Sequence, residues 1–114
     1  MKWLFALLLV PALAFAADPK KKEDAKPDPK LVADGAKLYA EKTCLACHGK
    51  DAKTPIMPDY PKLAGQNAGY AERQMLDIKS GARSNGNTAA MKGVMPLVSE
   101  AEIKALAVYL SSLQ

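Results

Sequence analysis

Cys44-Leu45-Ala46-Cys47-His48, a little before the middle of a 114-residue chain, is the stretch that decides how the rest is read. Two thiols separated by two residues can each bond one vinyl arm of a single porphyrin. A histidine directly after the second thiol is then held beneath the iron as its proximal ligand. The pattern points to one covalently attached haem c, with Cys44 and Cys47 as attachment points and His48 as an axial ligand of the iron. Other uses of these residues fit less well. A dithiol redox site of this spacing wants a strand-to-helix junction in an α/β pattern. A structural zinc needs four ligands, and the chain has only two cysteines and one histidine. A plain disulfide across two residues leaves the adjoining histidine unexplained.

The single histidine also constrains the other side of the iron. No second imidazole exists in the chain, so the distal ligand is a methionine, a lysine or nothing. Apart from the initiator, the methionines are Met57, Met75, Met91 and Met95. Met57 follows His48 too closely to pass round the edge of a macrocycle, and Met75 falls inside a helical pattern, where a core role is the usual one. Met91 and Met95 lie in a stretch that reads as irregular, just before the last helix. Spacing alone does not separate them.

On the N-terminal side of the motif, Leu31, Val32, Gly35, Leu38 and Tyr39 recur at helical spacing and lead, at about Thr43, into the cysteines. A second helix is expected from Ala68 to Ser80, with Asn67 as cap and Gly81 as its end. A third follows the capping box Ser99-Glu100-Ala101-Glu102, with Ile103, Leu106, Ala107, Leu110 and Leu113 as one apolar stripe. Pro55, Pro58, Pro61 and the Gly/Asn-rich run from Gly81 to Thr88 are loop signals. No alternating pattern of useful length appears, so the expected class is all-α.

Before Leu31 the chain changes character. Met1-Lys2 and the apolar run Trp3 to Ala17, containing the small-residue triplet Ala14-Phe15-Ala16, read as a secretory signal peptide (1-16) cleaved after about Ala16, which places the mature protein in the periplasm. The run is too short to span a bilayer and Pro11 interrupts it, although an uncleaved leader would act as a tether. Residues 17-30 are charged and proline-rich, a linker whose Lys20, Lys21 and Lys22 offer at most a weak contact with an anionic membrane surface. Residues 31-114 remain as one domain, in a size range where a single apolar core is marginal and a cofactor supplies missing bulk. That domain carries ten Lys/Arg against eight Asp/Glu. Two haem propionates would nearly balance the excess, and no basic stripe with interleaved aromatics argues for nucleic acid. Residual positive surface would steer an acidic protein partner.

The residues from Gly35 to Leu113 resemble the class I cytochromes c, and most closely one half of the two-haem bacterial cytochromes c. The likeness is carried by Gly35-x-x-Leu38-Tyr39, the haem motif with Gly49, Pro61-Lys62-Leu63-Ala64-Gly65-Gln66, and the helix around Tyr70, Arg73, Gln74 and Asp77. Gly81-Ala82-Arg83-Ser84-Asn85, Met91-Lys92-Gly93-Val94 and Ser99 onward extend it. The resemblance implies about three main helices wrapped round one haem. It implies Met91 as distal ligand, because that family's ligand Met precedes a basic or small residue and Gly, eight positions before the helix-capping Ser; Met95 is the alternative. It further implies that the Pro61 carbonyl accepts the other N–H of His48, that Leu63 presses on the haem face, and that Gly35 and Tyr39 mark a crossing of first and last helices near Tyr109. The lysine-rich linker and Asp59 depart from the shared pattern.

The function implied is that of a monomeric single-electron carrier, not an enzyme, meeting a redox donor and a redox acceptor by transient contact. The competing readings are a haem peroxidase and a gas or redox sensor with a displaceable distal ligand. Both are disfavoured by a well-placed Met and by the lack of a second His to act as acid or base.

Overall fold

The computed structural model describes residues 26–114; the expected leader and the linker up to residue 25 lie outside the described residues. The described chain forms α1 (Pro29–Glu41), α2 (Cys44–His48), α3 (Ala68–Ser80), α4 (Thr88–Lys92), a single 3-10 turn (Met95–Leu97) and α5 (Glu100–Ser112). Among the described residues there is no strand, as expected.

The strongest helix signal is also the most faithful one. The Ser99 hydroxyl accepts from the Glu102 N–H at 3.2 Å while the Glu102 carboxylate accepts from the Ser99 N–H at 3.0 Å, so two otherwise unpaired donors of the first turn are satisfied reciprocally. Behind this cap α5 buries Ile103, Leu106 and Leu110, each at 4% exposure or less. Each such side chain contributes about 1.5–3 kcal/mol of transfer free energy. In α3 the Asn67 side chain accepts from the Tyr70 N–H at 3.0 Å, and Gly81 closes the helix where expected.

Three boundaries differ from the sequence reading. α1 starts at Pro29, inside the stretch assigned to the linker (17-30): the Asp28 carboxylate accepts from the Lys30 N–H at 2.9 Å, and a first-turn proline has no N–H to satisfy. α1 ends at Glu41, because Thr43 adopts a left-handed φ of 61° and turns the chain into α2. The stretch before α5, read as irregular, holds α4 and the 3-10 turn; elements of five and three residues are too short to show a period.

α1 and α5 cross at Gly35. A Cβ there would stand 2.2 Å from the Ala105 carbonyl oxygen and 2.5 Å from Tyr109 Cβ, so the two backbones approach to a distance only glycine permits. One turn further on, the Tyr39 and Tyr109 rings meet at 5.6 Å, tilted by 55°. α3 packs on α5 from another side with Ala71 and Ile78 buried, and the loop before α3 is tied down where the Gly65 N–H donates to the Leu110 carbonyl at 2.9 Å.

Two substitutions test this frame by urea denaturation of the holoprotein. Gly35→Ala must push α1 off α5 against a main-chain oxygen and is expected to cost about 3 kcal/mol, the upper end for overpacking. Ser99→Ala breaks one arm of the capping box and is expected to cost about 1 kcal/mol, leaving the helix in place.

Candidate functional site

Cys44, Cys47 and His48 are related by three and four residues, so on the single turn of α2 they share one face. Both thiols are free; Cys44 is half-buried and Cys47 exposed. Burial pushes the Cys44 thiol pKa up, with the neighbouring Cys47 adding to the rise.

The turn from Gly49 to Thr54 holds α2 in place. Gly49 has φ +83°, and a Cβ there would lie 2.3 Å from the Thr54 carbonyl, so the chain reverses tightly behind His48. Its carbonyl accepts from the Tyr39 hydroxyl at 2.6 Å. Burial, first of all, keeps that phenol protonated far above its ordinary range, as a permanent donor. The Asp51 carboxylate accepts from the Lys53 and Thr54 N–H groups at 2.9 and 3.0 Å and clamps the same turn. Ala52, fully buried at a positive φ of 56°, offers one carbonyl to the N–H groups of both Leu63 and Ala64, at 2.9 and 3.1 Å. That contact fixes where Leu63 stands.

His48 is 8% exposed. Its Nδ1 is sealed from solvent with no completed hydrogen bond, and Nε2 makes none among the described residues. Nε2 is therefore the nitrogen left with an accessible side. Burial lowers the ring's pKa, which leaves the imidazole neutral with a lone pair to give; the Pro61 backbone pulls in the opposite direction. The Pro61 backbone is thus close to the ring, although no hydrogen bond to Nδ1 is completed. Tyr60 stacks obliquely at 6.3 Å from the imidazole.

α2, the loop at 59–63, α3, the segment before α5 and α5 itself border one cavity of about 520 Å³, within the size range of sites that bury a cofactor. Cys44, Cys47 and His48 line it from α2, Pro61 and Leu63 from the loop, Met91 and Met95 from the segment before α5, and Ile78, Val98, Leu106 and Leu110 from the core. Every site residue expected from the sequence lines this one cavity. Met57 is not among the lining residues and lies 47% exposed, whereas Met75 lines the cavity while packing on the core. The two candidate distal ligands differ in seating: Met95 is 2% exposed within the core cluster, and Met91 is half-buried against it. Two thiols, an imidazole nitrogen with an accessible side and a thioether, converging on an apolar cavity, are the donor set that a covalently held haem requires.

Some residues of the site carry no signal in the sequence: Tyr60, Ala52, and the pair in which the Arg83 guanidinium donates to the Gln74 side-chain oxygen at 2.8 Å on the cavity wall. Gln74 and Arg83 do fall in the stretches that carry the family resemblance. No periodicity or spacing marks them.

Comparison with known proteins agrees with the geometry. The family profile for cytochrome c matches residues 32–114. Cytochrome c4 of Stutzerimonas stutzeri is 34% identical over 94 residues, covering 75% of this chain and 45% of that protein. A thiosulfate dehydrogenase electron acceptor of Stutzerimonas stutzeri is 38% identical over 88 residues, covering 71% of this chain and 39% of its own length. The crystal structure of reduced recombinant cytochrome c4 from Pseudomonas stutzeri superposes with a TM-score of 0.68 at 33% identity, over 77% of this chain and 50% of that one. The chain spans half or less of the length of these relatives. By its haem-attachment motif, its helical frame and its match over residues 32–114, the chain belongs to the cytochrome c family.

Proposed function

We propose that this chain is a periplasmic single-electron carrier in which Cys44 and Cys47 hold one haem c and His48 and Met91 ligate its iron. The observation that carries the reading is the convergence on one apolar cavity of both thiols, His48 and Met91. When bound, the haem supplies an iron that gains and loses a single electron. The rest belongs to the chain. His48, kept neutral by burial, presents Nε2, and the nearby Pro61 backbone biases the ring's orientation. Met91 brings a soft thioether, which favours the reduced state and so raises the reduction potential. Leu63, Leu106 and Leu110 keep water from the site, and Arg83 and Lys62 on its wall are the cations available to the haem's carboxylates.

Carriage asks for no acid or base. The one histidine of the chain is spent on the iron, which supports transfer over peroxide chemistry. The relative named as electron acceptor of thiosulfate dehydrogenase supports acceptance from a larger redox enzyme, through a small contact that releases quickly. Export is inferred from the leader read at residues 1-16.

Met91 is preferred to Met95 because Met95 is committed to the core, and because Met91-Lys92-Gly93 keeps the family register to Ser99. Met91→Ala is expected to abolish the thioether-to-ferric-iron absorption band and to speed carbon monoxide combination with the reduced protein by about tenfold or more. Met95→Ala is expected to keep the band while lowering stability by about 2–4 kcal/mol. The reverse pattern moves the ligand to Met95, and rapid carbon monoxide binding by the wild-type protein overturns simple electron carriage.

A further inference from the structure

We infer that Lys79 and Lys42 are positioning residues whose ammonium groups hold the 95–98 segment by its carbonyls and so fix the part of the chain that carries the distal thioether. This rests on the proposal that Met91 is the distal ligand.

Among the described residues, 94–98 are held to the frame by the packing of Met95 and Val98 but by no backbone hydrogen bond to it. Their backbone hydrogen bonds are local: Val94 N–H to Met91 at 3.0 Å, Leu97 N–H to Val94 at 3.0 Å, and Val98 N–H to Met95 at 3.1 Å. These shape the turns without attaching them to the frame. Met95 and Val98 are nonetheless 2% and 1% exposed, whereas Leu97 between them is 69% exposed, so the chain here dips into the interior only at Met95 and Val98. Among the described residues the carbonyls of Leu97 and Val98 receive no backbone N–H in these loop contacts.

Two side chains from distant elements supply the missing donors. Lys42, just past the end of α1, donates to the Leu97 carbonyl at 2.8 Å across 55 residues of sequence. Lys79, in the last turn of α3, donates to the Val98 carbonyl and also lies 3.4 Å from the Met95 carbonyl. A lysine in a last helical turn ordinarily serves that helix's own free carbonyls. Lys79 reaches across to another segment instead. Lys42 is further joined to Glu102 at 3.4 Å, and Glu102 in turn closes the cap of α5 on Ser99. The end of α1, the end of α3 and the start of α5 are thus tied to one short run of carbonyls.

A part-buried carbonyl such as that of Val98 costs more on losing its donor than a paired one returns, so the segment relieves the loss by opening to water, while the exposed Leu97 carbonyl loses less. α1 and α3 both reach the cavity wall, through Tyr39 and through Ile78. The two lysines therefore refer the Met91 segment to the same frame that seats His48.

The test uses the holoprotein with Lys79→Met and Lys42→Met, which keep the aliphatic stems and remove the donors. Amide hydrogen exchange at Val94, Leu97 and Val98 is expected to quicken by about tenfold or more in Lys79→Met and less in Lys42→Met, whose ammonium is the partner of exposed groups, while core amides of α5 change by under about threefold. Carbon monoxide combination with the reduced protein is expected to quicken in the same order. The proposal is overturned if exchange in the segment stays within about threefold of wild type, or if it rises only in step with the α5 core, which is the mark of general destabilisation. If Lys79→Met does not accumulate as holoprotein, Lys42→Met decides by the same criteria, with Lys79→Arg expected to behave as wild type. A wild-type ferric protein lacking the thioether band would refute the distal-ligand reading alone, since the exchange measurement still decides the clamp.

Discussion

The approach of α1 to α5 at Gly35 is the constraint from which the site is built. Where any other residue would place a methyl, the Ala105 carbonyl already stands. With the helices that close, Tyr39 lies beside Tyr109 and its hydroxyl reaches the Gly49 carbonyl, the residue immediately after His48. A steric fact in one helix pair is thereby passed, through one hydrogen bond of 2.6 Å, to the position of His48. Gly49 completes the transfer, since its positive φ lets the chain fold back at once and leaves that carbonyl facing Tyr39. α2 could not hold its own place: a helix of five residues has no cooperative stability, and its shape is borrowed from its surroundings.

The features legible in the sequence are those encoded locally. The Ser99 capping box and the Asn67 cap act over three residues, and they mark the observed starts of α5 and α3. The haem motif is legible for the same reason, because its donors lie one after another along a single turn. The resemblance adds Met91, Pro61 and Leu63, and each lines the cavity. Contacts that join distant parts of the chain are not legible. Ala52 gives no hint that its carbonyl orders Leu63, and neither lysine of the 95–98 segment announces a partner that lies 55 or 19 residues away. The Pro61 case is intermediate: its backbone is close to His48, while the hydrogen bond to Nδ1 is not completed. The start of α1 is hidden because residues 17-30 read as one charged, proline-rich run, and composition alone does not reveal that Asp28-Pro29 begins a helix within it.

The size of the cavity ties the cofactor to the fold itself. The space of about 520 Å³ is lined largely by apolar side chains, which gain contacts on that side only when it is filled. Water in that space would meet apolar side chains it cannot hydrogen-bond, whereas a haem would complete their packing, so the haem belongs to the core as much as any side chain does. Covalent attachment suits that role: a group that forms part of the core is held by bonds that do not dissociate, and Cys44 and Cys47 share a face of α2 that lines the cavity.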